Sequence, residues 1–137
     1  MLPRNWRRRK PLQSEAFLQE QFARWLDAKG LLFTASMAGV NLHPAVAIMR
    51  KKLGCKKGTP DIAIYEPCGI YHGLFIELKA GKNKATPEQE QWKAALISKG
   101  YLALIMPGNL EFNEAFNWLR DVVENYLQFL STNKEEV

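Results

Sequence analysis

The sequence predicts an α/β domain built on a mixed central β-sheet flanked by helices, and three observations carry that prediction. Helix-period and strand-like apolar segments alternate along the chain. Two of the strand-like segments, residues 62–65 and 74–78, stand close enough to fold as a hairpin, and a capped helix and a further strand follow them. With 137 residues, 47% of them apolar and 24% charged, the chain suits one domain, large enough to bury most of its unfolded surface in a single core.

The elements follow in order. Ser14 is positioned to cap a first helix that runs to about Lys29 and stops at Gly30. Residues 31–35 read as a short buried strand. A second helix begins at Asn41 or His43, with Pro44 in its first turn and Gly54 at its end. The hairpin strands 62–65 and 74–78 are joined through Glu66-Pro67-Cys68-Gly69. Thr86-Pro87-Glu88-Gln89 is a capping box with proline at the first helical position, and the helix it opens ends at Gly100. Residues 101–106 form a strand closed by Pro107-Gly108, and residues 110–130 form a long amphipathic helix. Trp25 and Trp92 fall on the apolar faces of their helices and are expected in the core.

Composition and charge exclude several classes. No apolar run approaches the roughly 18 residues of a membrane helix, and the basic start MLPRNWRRRK leads into the polar PLQSEAF, unlike a signal peptide, so an intracellular protein is expected. Cys55 and Cys68 are then expected as free thiols, and neither combines with His43 or His72 at zinc-like spacing. The net charge is +5, and Arg4, Arg7, Arg8, Arg9 and Lys10 account for all of it, because the rest of the chain holds 14 charges of each sign. A second basic knot, Arg50, Lys51, Lys52, Lys56 and Lys57, is followed by Lys79, Lys82 and Lys84. After Ile105 acids outnumber bases. Such a dipolar distribution suits a polyanion docking on one side.

The chemistry is concentrated in the hairpin. Glu77 and Lys79 lie two apart on a strand and share a face, while Ile76 and Leu78 point to the other. Asp61 follows Pro60 at the start of the partner strand, and folding the hairpin brings it opposite residues 77–79. Two carboxylates and an ammonium group converge there. Carboxylate oxygens at that spacing suit a hard divalent ion such as Mg²⁺, and a lysine beside it can orient or deprotonate an attacking water and offset charge at a phosphoryl centre.

The pattern Pro60-Asp61 followed by Glu77-Leu78-Lys79 resembles the PD-(D/E)xK nuclease superfamily. With its flanks, Leu53-Gly54-Cys55-Lys56-Lys57-Gly58-Thr59 before Pro60, Tyr71-His72-Gly73-Leu74-Phe75-Ile76 before Glu77, Thr86-Pro87-Glu88-Gln89 and Gly100-Tyr101, it is similar to the VRR-NUC branch, the virus-type replication-repair nucleases. The likeness implies a restriction-endonuclease-like core within residues 14–131, between a basic arm (residues 1–13) and a flexible tail (residues 132–137). It implies a Mg²⁺-dependent DNA endonuclease, with Mn²⁺ as a substitute, acting in replication, recombination or repair. The products would be a 3′-hydroxyl and a 5′-phosphate. Asp61, Glu77 and the Leu78 backbone carbonyl would ligate the ion, and Lys79 would position the water. Small standalone members resemble Holliday-junction resolvases and form homodimers. A flap or restriction-like endonuclease shares all of these residues, and a noncatalytic DNA-binding module on the same scaffold is the alternative outside enzymes.

Residues beyond the central pair complete the expectation. The family also uses a glutamate on its first helix. Glu15 lies on the stripe of Leu18, Phe22, Trp25 and Leu26, whereas Glu20 points roughly opposite, so Glu15 is the candidate to complete the metal or water shell. Gln19 shares that edge and could support the site. Gln89 matches a family glutamine and is also explained as half of the capping box. Arg7, Arg8, Arg9, Lys10, Arg50, Lys51, Lys56, Lys57, Lys82 and Lys84 are the candidate DNA contacts. On the last helix, Phe112, Phe116, Leu119, Val123, Tyr126 and Leu130 should cover the sheet, while Trp118, Val122 and Phe129 form a second stripe, more than a monomer needs to bury and suited to a homodimer.

Overall fold

The computed structural model describes residues 15–36, 43–79, 81 and 84–134, with the backbone alone for 129–134. Expectations placed on Arg7, Arg8, Arg9, Lys10, Ser14, Lys82 and the tail beyond Lys134 lie outside the described residues, as do those on the side chains of Phe129 and Leu130.

The elements are α1 (Glu15–Ala28), β1 (Phe33–Ala35), α2 (Pro44–Lys52), β2 (Ile62–Ile64), β3 (Leu74–Glu77), α3 (Pro87–Ser98), β4 (Leu102–Ile105) and α4 (Phe112–Lys134). They form the mixed α/β fold that the alternating pattern predicts. The sheet runs β1-β2-β3-β4, antiparallel across the first two pairings and parallel across the last, with α3 as the crossover. Between Asn41 and His43, the cap of α2 is His43, whose Nδ1 accepts the Ala45 N–H at 3.1 Å. The capping box of α3 is complete in both directions.

Strand alternation divides the sheet into two unlike faces. Ile62, Ile64, Leu74 and Ile76 are fully buried and form one cluster with Leu18, Phe22 and Leu26 of α1 and Leu119, Val123 and Tyr126 of α4. The Tyr126 hydroxyl donates to the Glu66 carbonyl at 2.6 Å, tying α4 to the hairpin turn, and burial raises its pKa. On the opposite face the register lines up Thr34, Ala63, Phe75 and Ala103 across all four strands. Here α3 is the covering helix, packed on β4, and it contributes no fully buried side chain.

Three expectations change. The first strand is a half-exposed edge and not a buried strand, because β1 pairs on one side only and Thr34 and Ala35 reach solvent. Trp92 is not a core residue: it is half-buried, and its indole N–H donates to the Lys57 carbonyl at 3.1 Å. On α4, Trp118 and Val122 are half-buried against the core together with Phe112 and Phe116, so these two residues of the second stripe are partly covered within the chain.

Candidate functional site

The site forms where β2 begins and β3 ends. Gly58 lets the approaching loop press on the start of α3: its φ is +86°, and a Cβ there would lie 2.7 Å from the Glu88 backbone carbon. The chain then passes Thr59 and Pro60 into Asp61. The Ser36 N–H donates to the Asp61 carbonyl at 2.8 Å, continuing the β1–β2 ladder. The Leu78 N–H donates to Asp61 Oδ2, also at 2.8 Å, which fixes the carboxylate across the hairpin. Since Ile62 pairs with Ile76, Asp61 stands opposite Glu77.

Glu15, in the first turn of α1, completes a group with these two. One carboxylate oxygen from each of Glu15, Asp61 and Glu77 lies within 4.8 Å of the others. Glu20, the other helix candidate, is exposed and bridges to Arg24 at 3.0 Å. Asp61 and Glu77 are buried, at 1% and 5% exposure, and so is Lys79 at 8%. Unfavourable burial and the neighbouring Asp61 charge push the Glu77 carboxyl up to about 8, from an ordinary 4.5. Burial also raises Asp61, against the Leu78 N–H that favours its charged form. Two buried carboxylates this close hold a proton between them unless a cation replaces it.

Gln89 joins the pair to the lysine. Lys79 Nζ donates to Gln89 Oε1 at 2.5 Å, and Gln89 Nε2 donates to Glu77 Oε1 at 2.6 Å. Gln89 Oε1 also accepts the Thr86 N–H at 2.9 Å, so the helix cap and the bridge share one amide. Glu77 Oε2 is buried and receives no hydrogen bond from any described donor. An all-oxygen, anionic donor set with one buried oxygen unserved by protein fits a hard divalent cation.

The remaining candidates fall at varied distances from this centre. Gln19 Nε2 donates to the Ser36 carbonyl at 2.7 Å and so ties α1 to the end of β1, next to Asp61, without touching the carboxylates. Arg50 is half-buried and Lys51 exposed in the last turn of α2, and Lys56, Lys57 and Lys84 are exposed on the segments flanking Asp61 and α3. Lys57 Nζ lies 3.5 Å from Glu88. Sequence reasoning missed the Gln89 bridge and the Leu78 N–H bond to Asp61. The only advance signals were the hairpin register and the position of the capping box directly after the strand. It also missed a cleft of about 240 Å³ beside Asp61, lined by Thr34, Ala63, Tyr65, Phe75, Trp92 and Leu96 among others. The odd-numbered positions of both hairpin strands were its signal.

No family model and no curated protein matches the chain. Solved structures do. A VRR_NUC domain protein is 28% identical over 85% of this chain and 89% of its own, with a TM-score of 0.59. A second structure, a VRR_NUC domain, is 19% identical over 82% of this chain and 97% of its own, with a TM-score of 0.53, and shares the fold.

Proposed function

We propose, from a chain that carries a VRR-NUC-type domain, that it is a divalent-metal-dependent endodeoxyribonuclease that hydrolyses phosphodiester bonds. The observation that carries this is the meeting of Glu15, Asp61 and Glu77 with a buried lysine wired to them through Gln89.

Asp61, Glu77, the Leu78 carbonyl and Glu15 would hold Mg²⁺, or Mn²⁺ in its place, and the ion supplies Lewis-acid activation of water and charge neutralisation at the phosphate. The protein's own share follows from its hydrogen bonds. The Leu78 N–H holds Asp61 in one rotamer, and Gln89 holds Glu77 and Lys79 at a fixed separation. Lys79 orients the attacking water, or takes its proton, and offsets charge on the phosphoryl oxygens as the bond to the leaving 3′-oxygen breaks. Lys56, Lys57, Lys84, Arg50 and Lys51, with the arm residues Arg7 to Lys10 and Lys82, would grip phosphates and carry no base specificity.

The substrate we propose is branched DNA, cut in the manner of a junction resolvase. One site per chain makes one cut, so paired cuts across a branch call for a twofold homodimer. A noncatalytic binding module would carry three converging carboxylates at a cost in stability with no return. No described helix is long and apolar enough to cross a membrane.

The test is cleavage of four-way junctions, flaps and linear duplexes with and without Mg²⁺. The reading predicts metal-dependent cuts with preference for the junction, and loss of cleavage in Asp61→Ala and Lys79→Ala. Unchanged cleavage by either variant overturns it, and preference for flaps or linear duplex overturns the branched-DNA assignment.

A further inference from the structure

α3 packs on β4, at one edge of its face of the sheet. By register, Thr34, Ala63 and Phe75 form a row on this face across β1, β2 and β3, and two of the three are small. On this face lies the cleft of about 240 Å³, lined by Thr34, Ala63, Tyr65, Phe75, Trp92 and Leu96, with Asp61 also among its lining residues. It is smaller than the roughly 300–1,000 Å³ of sites for drug-sized ligands and suits one flat ring system.

Its aromatic walls are held in place before anything binds. Phe75 meets Tyr65 edge-on at 6.4 Å between ring centres and Tyr101 at 5.2 Å, so the three rings form a ladder. Trp92 is fixed by its N–H bond to the Lys57 carbonyl. Tyr65 nevertheless stays 48% exposed. The exposed Lys56 and Lys57 flank the loop that leads into the cleft, so a flat aromatic group attached to an anionic backbone is the chemistry that matches both wall and rim.

We infer that this cleft is a stacking site for one unpaired nucleobase adjoining the scissile phosphate. The inference rests on the nuclease reading above, because Asp61 belongs to both the cleft and the carboxylate group. A base inside a duplex is already stacked and paired and would have to be extruded at a cost, whereas a base at a branch point, flap or bulge is free to enter. The cleft therefore selects DNA by the presence of an unpaired nucleotide and is tolerant of its sequence, since every base has a face to stack.

Photocrosslinking tests this without any cleavage. The full chain in EDTA is bound to two short duplexes carrying a single 5-iodouracil, unpaired at a branch in one and paired in the other. The expected crosslink is to Tyr65 or Trp92, from the unpaired base alone. Tyr65→Ala removes one wall and Thr34→Phe narrows the cleft, both at exposed positions that leave the core intact. Each is expected to weaken binding of the unpaired-base DNA at least about fivefold while leaving the paired duplex within about twofold. Crosslinks outside the cleft, equal crosslinking from the paired base, or equal loss on both DNAs overturns the inference. Because the readout needs no metal and no turnover, it can fail while cleavage by the wild-type chain persists, and the reverse holds as well.

Discussion

At the scale of single residues, the candidate site is held in a costly state that a bound cation would relieve. Glu77 titrates at about 8 in the folded chain against an ordinary 4.5, mainly because burial disfavours its charge. Between those values the folded state binds a proton that the unfolded state has lost. Stability of the metal-free protein therefore falls as pH rises from about 4.5 to about 8 and levels off above. Glu77→Gln, which keeps the oxygen that accepts from Gln89, removes this penalty: its melting temperature is expected to exceed the wild type's at pH 8 and to match it near pH 4, by thermal denaturation in EDTA. Mg²⁺ affinity should rise with pH up to about 8, because the ion competes with that proton. Gln89 is the other residue whose removal is informative. Gln89→Ala should lower cleavage about 10- to 100-fold in single-turnover rates, as loss of a residue that orients metal-site groups does, with Asp61 still in place. Asp61, Glu77 and Lys79 were legible in the sequence because acid, base and strand parity all sit within one hairpin. The Gln89 bridge was not, since only the crossover through α3 brings residue 89 over the end of β3.

At the scale of elements, the loop before β2 and the start of α3 act as one unit. Gly58 combines a φ of +86° with a contact that any side chain would invade. Gly58→Ala is expected to cost more than about 1 kcal/mol, seen as a fall in melting temperature of about 3 °C or more, and to lower cleavage by shifting Asp61. An unchanged melting temperature would show that the loop is not pressed on α3 as described. Elements were legible wherever local chemistry decides them: the Thr86 capping box, Pro44 behind the His43 cap and the hairpin turn all lie where the sequence puts them. Burial was less so. Residues 31–35 look like a core strand because they are apolar, yet strand order in a sheet is a tertiary fact, and β1 lies at the edge. Trp92 was misplaced for a related reason: helical periodicity gives its face, and the packing of α3 on β4 leaves that face over a cleft.

At the scale of the whole molecule, one face of the sheet holds the main core and the other carries the candidate site. The cluster of Leu18, Phe22, Leu26, Ile62, Ile64, Leu119 and Val123 carries the fold without contributing to the site, and Trp118 and Val122 add to it. The sequence overread those last two as surplus, since an apolar stripe shows what is to be buried and not how far the core extends round a helix. The net charge of +5 marks a polyanion partner only coarsely. The candidate site includes three acids, which a charge count scores against such a partner. The most direct measurement is the single-turnover cleavage rate of a four-way junction at saturating Mg²⁺ for the wild-type chain and Asp61→Asn. Loss of a metal-holding carboxylate should lower the rate on the order of a thousandfold or more, with junction binding in EDTA retained. An Asp61→Asn chain that cuts at the wild-type rate would contradict the account.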